Sequence, residues 1–189
     1  MKKALTVFIT LSLIALLCCS CGKTKTYIAE ITVENYGVIT VELDAKTAPI
    51  TVANFVKLAN EGFYDGLTFH RFMPNFMIQG GSPNGTSTGG ARETIKGEFS
   101  ANGVKNNISH VRDTISMARA NDPDSASSQF FIVHEDSTYL DGKYAAFGHV
   151  ISGMEVVDAI CEDAEPTDGN GTIPADKQPV ITSIKIIEE

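Results

Sequence analysis

Apolar and polar residues alternate with a period of two in the first ordered-looking stretch of the chain. Ala29, Ile31 and Val33 alternate with Glu30, Thr32 and Glu34. After Asn35-Tyr36-Gly37, the residues Ile39, Val41 and Leu43 alternate with Thr40 and Glu42. Alternation of this kind turns one face of each strand to a core, and the short turn predicts an antiparallel hairpin. The period then lengthens. Val52, Phe55, Val56 and Ala59 fall at i, i+3, i+4 and i+7, one face of a helix. Thr47 is the expected N-cap, Pro49 sits in the first turn where a missing N–H costs little, and Gly62 is the expected stop. From residue 63 short apolar runs separated by glycine-rich turns predict strands over 68–72, 77–79, 114–118, 129–133 and 145–151. A second helix fits 154–162, with Val157 and Cys161 on one side. A loop rich in Asp, Gly, Asn and Pro covers 165–179, and 180–187 alternates once more. Seven or eight short strands with two helices predict a mainly β domain, a closed antiparallel barrel whose open ends are plugged by helices. No internal repeat of domain-building length is visible.

The N-terminus follows neither period. Lys2 and Lys3 precede an uncharged stretch over 4–17. That stretch is shorter than the ~20 helical residues that cross a bilayer, but it suits the apolar part of a signal peptide. Ser20-Cys21-Gly22 follows, and the whole resembles a bacterial lipoprotein signal, with Cys21 the lipidated residue. The expected organisation is a signal peptide over 1–20, a lipidated Cys21 on a short tether to residue 26, and one domain over 27–189. Removing 1–20 takes away two lysines and no acids, so the formal charge moves from −8 to −10. An acidic domain lacks the basic face that nucleic-acid phosphates call for, so no nucleic-acid partner is expected. Of four cysteines, Cys18 and Cys19 leave with the signal. Cys21 and Cys161 then form no disulfide framework, and Cys161 is expected to be a buried small apolar residue.

Candidate chemistry concentrates in 64–81, where Arg71 stands among Phe69, His70, Phe72, Phe76 and Met77, with Gln79 eight residues on. Strict alternation puts Phe69 and Arg71 on one face and His70 and Phe72 on the other. From these residues alone the segment reads as a strand with one face in the core and Arg71 on the solvated side. Two further segments, Ser116-Met-Ala-Arg-Ala120 with Gln129-Phe-Phe-Ile-Val133, and Tyr139-Leu-Asp-Gly-Lys-Tyr-Ala-Ala-Phe-Gly148, read individually as core strand and turn. The glycine-rich run 80–90 is followed by no Gly-Lys-Ser/Thr, so it is no phosphate loop. His70, His110, His134 and His149 show no metal-ligand spacing, and no metal site is expected.

Taken together and in this order, these segments resemble the cyclophilin family of peptidyl-prolyl cis-trans isomerases, over nearly all of the chain after the signal. The resemblance implies an eight-stranded antiparallel barrel capped by two helices, with the site in a groove on its outer face. It implies that Arg71 is the catalytic arginine and that Gln79 orients it. Phe76, Met77, Phe131 and Leu140 would wall a proline pocket, and Gln129 with the backbone around Ala118 would bind the substrate chain. The chain departs from common animal members at three groove positions: Arg119 replaces an asparagine, Tyr139 a tryptophan and Tyr144 a histidine. The glycine-rich loop 80–90 is also one residue shorter. The reaction so implied needs no cofactor. Its partners would be proline-containing unfolded or partly folded polypeptides outside the cytoplasm, met by a monomer anchored to the membrane by lipid, in a folding-assistant role.

Rotation about an X–Pro bond meets a barrier of about 20 kcal/mol because the amide is partly double-bonded. No covalent bond breaks, so a catalyst has only to favour the twisted amide over both planar forms. An apolar pocket for the ring and one fixed cationic donor meet that need. Arginine suits the second role because it stays charged and presents a rigid fork.

Overall fold

The structure, a computed structural model, describes residues 26–188; the expected signal peptide and Cys21 lie outside them. Eight strands and two helices follow in the order β1 (Tyr27–Val33), β2 (Gly37–Leu43), α1 (Pro49–Asn60), β3 (Thr68–Met73), β4 (Met77–Ser82), β5 (Thr114–Met117), β6 (Phe130–Val133), β7 (Ala146–Ser152), α2 (Met154–Asp163) and β8 (Ile181–Glu188). The expected hairpin is present. Ala29 pairs with Val41 and Ile31 with Ile39, and the apolar members of both strands are buried on one face.

All strand pairs are antiparallel, and the sheet runs β3-β4-β6-β5-β7-β2-β1-β8. The expected closed barrel is corrected here: the sheet is an open half-barrel. Its two outer strands, β3 and β8, share no ladder and meet only where they begin, at the bridge between Thr68 and Val180 and the flanking bonds of Ile181 to Gly66 and Leu67. The reason is what occupies the outer edge of β3. The 165–179 loop runs along it and takes its hydrogen bonds: Phe69 N donates to Pro179 O at 2.9 Å, Phe72 N to Gly171 O at 2.9 Å, and Ile173 N to His70 O at 3.0 Å. An edge covered in this way is not available for pairing with another chain.

The core lies between the sheet and the helices. Phe55 of α1 packs its ring 5.2 Å from Tyr64, 5.5 Å from Phe130 and 5.3 Å from Phe147, all fully buried. The α1 start departs from expectation. Ala48, not Thr47, occupies the cap position and supplies no side-chain bond. Asp44 captures the Thr47 hydroxyl and amide, at 2.6 and 2.9 Å. The free amides of the first helical turn go instead to buried Glu98, which accepts from Ile50 N, Thr51 N and Thr51 Oγ1 at 3.1, 2.7 and 2.7 Å. A carboxylate at a helix N-terminus satisfies orphan donors and faces the positive end of the helix dipole. In α2, Val157 and Cys161 are both buried, as the spacing predicts, and burial pushes the Cys161 thiol up to about 12.

The two sides of β4 and β6 serve different purposes. Ile78, Phe130 and Ile132 face the main core. Their neighbours Met77, Phe131 and Val133 join Leu140 in a second apolar cluster on the other side of the sheet. Period-two geometry therefore makes one stretch of chain both a core wall and the floor of an outer groove.

Candidate active site

The groove encloses about 770 Å³ and is floored by that second cluster. Met77 from β4, Phe131 from β6 and Leu140 from the turn after β6 are buried in it, with Phe76, Ala118 and Tyr144 half-buried beside them. The aromatic walls touch one another: Phe76 lies 6.0 Å from Phe131, Tyr144 stands edge-on to Phe131 at 6.1 Å, and Tyr139 lies 5.9 Å from Phe76. Tyr139 is 60% exposed, a large ring presented to solvent at the groove's lip.

Arg71 reaches this groove by way of a β-bulge. Phe69 pairs with Gly80 and Arg71 with Gln79, so His70 is an extra residue on the β3 side. The inserted residue shifts the alternation by one. Phe69 and Phe72 both join the main core, while His70 and Arg71 both line the groove. The strict-alternation assignment of faces is corrected accordingly, and Arg71 is half-buried in a cleft, not on an open solvated face.

Arg71 is the end of a directional relay. Its Nη1 donates to Gln79 Oε1 at 2.9 Å, Gln79 Nε2 donates to Gln129 Oε1 at 2.7 Å, and Gln129 Nε2 donates to Gly89 O at 2.6 Å and Ser87 O at 3.3 Å. Each amide is oriented by its neighbours, and both glutamines are buried. Gln129 was expected to face the substrate chain, yet its side-chain donor is spent on the glycine-rich loop. Ala118 N is likewise spent, on Gln129 O at 3.0 Å. Arg71 Nε donates to Asn170 O at 2.6 Å. Among the described residues Arg71 makes no salt bridge, and both of its bonds go to neutral acceptors; the Asp168 carboxylate acts on its charge only through space. Burial draws its guanidinium below the ordinary arginine value, and it stays protonated.

The groove is braced from outside. The buried His110 ring stacks 6.1 Å from Phe131 and is held by Asp141 at 2.9 Å and Ser116 at 3.0 Å. Arg119 lies between two rings, its Cζ 5.1 Å from the Phe99 centroid and 4.6 Å from that of Tyr144. Its Nε and Nη2 both donate to Lys143 O, at 3.0 and 2.9 Å. The residue that departs from the asparagine pattern thus clamps the other departing residue, Tyr144.

Of the groove residues expected from the sequence, Arg71, Gln79, Phe76, Met77, Ala118, Phe131, Tyr139, Leu140 and Tyr144 line this one cavity. Gln129 instead lines a neighbouring one and reaches this groove through Gln79. Thr86 and Ser87 of the glycine-rich loop 80–90 also line it, and sequence reasoning missed His70, Asn170 and Thr172. The Asn170 contribution is a main-chain carbonyl, for which no residue type is a signal. His70 is hidden by the bulge. It is buried, and burial beside Arg71 lowers its pKa to about 4, so the ring is neutral at neutral pH.

Comparison with known proteins agrees with this geometry. A family model described as cyclophilin type peptidyl-prolyl cis-trans isomerase/CLD matches residues 28–187. Peptidyl-prolyl cis-trans isomerase B of Bacillus subtilis is 54% identical over 114 residues, covering 60% of this chain and 76% of that protein. Peptidyl-prolyl cis-trans isomerase A of Dickeya dadantii is 42% identical over 158 residues, 81% of each. Among solved structures, a Cryptosporidium parvum cyclophilin type peptidyl-prolyl cis-trans isomerase, determined in the presence of the dipeptide Ala-Pro, superimposes with a TM-score of 0.74. It is 29% identical, and the match covers 86% of this chain and 99% of that one.

Proposed function

The chain belongs to the cyclophilin-type peptidyl-prolyl cis-trans isomerases, and we propose that it acts on proline-containing segments of proteins outside the cytoplasm, with Arg71 as its catalytic group and Cys21 as its lipid anchor. The observation that carries the catalytic assignment is a guanidinium held by neutral acceptors at the edge of an apolar groove.

The groove residues divide the work. The proline ring enters between Phe76, Met77, Phe131 and Leu140, where apolar burial holds it while the preceding residue stays free to rotate. As the amide twists, resonance is lost and the proline nitrogen becomes pyramidal and basic, while the carbonyl leaves its planar position. Arg71 carries five N–H donors, and its bonds to Asn170 and Gln79 occupy two. The remaining donors face the twisting amide, and a bond to it is stronger in the rotated state than in either planar one. Because the fork is fixed beforehand, little reorganisation accompanies the rotation. The anchor keeps the groove at the membrane, where newly translocated chains emerge unfolded, and the single-domain chain works as a monomer.

The test is Arg71→Ala, assayed by NMR exchange on an X–Pro peptide. The expected result is a fall in kcat/KM of at least about tenfold with the fold retained. Unchanged turnover would sink the assignment and leave a groove that binds proline segments without catalysis.

A further inference from the structure

Arg71 is held from two sides, and only one of them is a side chain. The other is the Asn170 carbonyl, 2.6 Å from Nε. That carbonyl belongs to a turn over 167–172 whose shape depends on one carboxylate. Asp168 Oδ1 accepts from Asn170 N and Thr172 N, both at 3.0 Å, and Oδ2 accepts from Thr172 Oγ1 at 2.9 Å. The main chain closes the same turn, with Gly171 N on Asp168 O at 3.1 Å and Thr167 N on Thr172 O at 2.9 Å. The turn lies flush on β3. Arg71 bridges to Thr172, and Gly171, at φ +82°, sits so close that a Cβ there would stand 2.1 Å from Phe72 O. Asp168 and Arg71 share no hydrogen bond or salt bridge, and the carboxylate acts on the guanidinium only through space, favouring its charged form.

We propose that Asp168 is a positioning residue for isomerisation: by closing the 167–172 turn it fixes the Asn170 carbonyl that, together with Gln79, aims the Arg71 guanidinium into the groove. This rests on Arg71 being the catalytic group. Two anchors on different atoms, Nε and Nη1, define the plane of the fork, whereas one anchor leaves it free to swing about a single bond. Asp168 therefore acts at one remove, through a carbonyl that no side-chain substitution at position 170 deletes.

The charge of Asp168 and the turn it makes are separable. Asparagine accepts the same two amide bonds on Oδ1 and offers its amide to Thr172 Oγ1, so it keeps the turn without the charge. Alanine keeps neither. Steady-state isomerase kinetics on the intact chain, with an X–Pro peptide, compare D168A, D168N, R71A and the D168A/R71A pair. The expected result is a loss of about tenfold in kcat/KM for D168A, carried by kcat, with D168N within about twofold of the parent. In the R71A background D168A should cost nothing further. An unchanged D168A beside an impaired R71A would overturn the role of Asp168 alone. A D168N as slow as D168A, a loss confined to KM, or a D168A loss that persists in full without Arg71 would also overturn it. An R71A with parental turnover would instead remove the catalytic reading itself.

Discussion

Replacing Gln79 tests whether position or charge of the guanidinium governs the rate. Gln79→Leu keeps most of the side-chain volume and deletes two hydrogen bonds, one to Arg71 Nη1 at 2.9 Å and one to Gln129 Oε1 at 2.7 Å. The first involves a charged donor and contributes about 1.5–3 kcal/mol. Losing the second leaves a buried acceptor unsatisfied at a cost of about 1–3 kcal/mol. If the first loss bears on the rotated state alone, a rate factor of roughly ten or more follows, since each ~1.4 kcal/mol is tenfold. The second bears on stability and should lower the melting temperature by several degrees. Gln79→Glu does the reverse to Arg71. It holds the fork by an ion pair and cancels the charge that the twisted amide would meet. Its second oxygen also faces Gln129 Oε1, so Gln129 must flip, turning its own oxygen on the Gly89 and Ser87 carbonyls. The expected order of kcat is parent, then Gln79→Leu about tenfold lower, then Gln79→Glu lower again, read by NMR exchange with thermal unfolding as the control for folding. Parental kcat in Gln79→Leu would refute the relay. A Gln79→Glu variant faster than Gln79→Leu would refute the need for an uncancelled charge.

His70 and Cys21 give two further expectations. The His70 pKa of about 4 lies below the ordinary histidine value of 6.5, so in that window the unfolded chain binds a proton that the folded chain does not. The contribution is complete above about pH 6.5 and is lost as pH falls toward 4; denaturant unfolding at stepped pH should show this slope and His70→Gln should flatten it, while an NMR titration of His70 near 6.5 would contradict the reading. For the anchor, the chain made in a bacterial host should partition to membranes and carry an acyl mass increment, and Cys21→Ser should release it; a membrane-bound, equally modified Cys21→Ser chain would place the lipid elsewhere.

The sequence carried these features unequally, and the difference is physical. The β1–β2 hairpin and the apolar face of α1 are local: their burial follows from spacing alone, and the structure has Ile31 opposite Ile39 and Phe55 at the centre of the core. The groove walls were legible through the family resemblance, because Phe76, Met77, Phe131 and Leu140 are side chains whose identity is their function. Three features were not legible. The bulge at His70 reverses faces without altering any apolar count, so alternation misplaced Arg71. The α1 cap comes from Glu98, 47 and 48 residues beyond the amides it satisfies, and spacing near Thr47 pointed to a hydroxyl that Asp44 had already taken. The open edge at β3 is set by main-chain bonds from the 165–179 loop, which composition marked only as irregular.

Two of these features, the bulge at His70 and the covered edge of β3, bear together on the chemistry. A reaction that breaks no bond gives the enzyme nothing to gain from a better nucleophile, so selectivity for the twisted amide must come from donors that do not move with it. Arg71 meets that condition only because segments far apart in sequence converge on its fork. Gln79 comes from the neighbouring strand, Gln129 braces Gln79 from 50 residues on, and Asn170 approaches from 99 residues on. The same loop that supplies Asn170 covers the outer edge of β3, where β3 and β8 share no ladder. The half-barrel's covered edge and the aim of its arginine are therefore two results of one arrangement. A change that loosens the 165–179 loop should reach the catalytic rate before it reaches the core, because Phe55, Phe130 and Phe147 pack on the other side of the sheet.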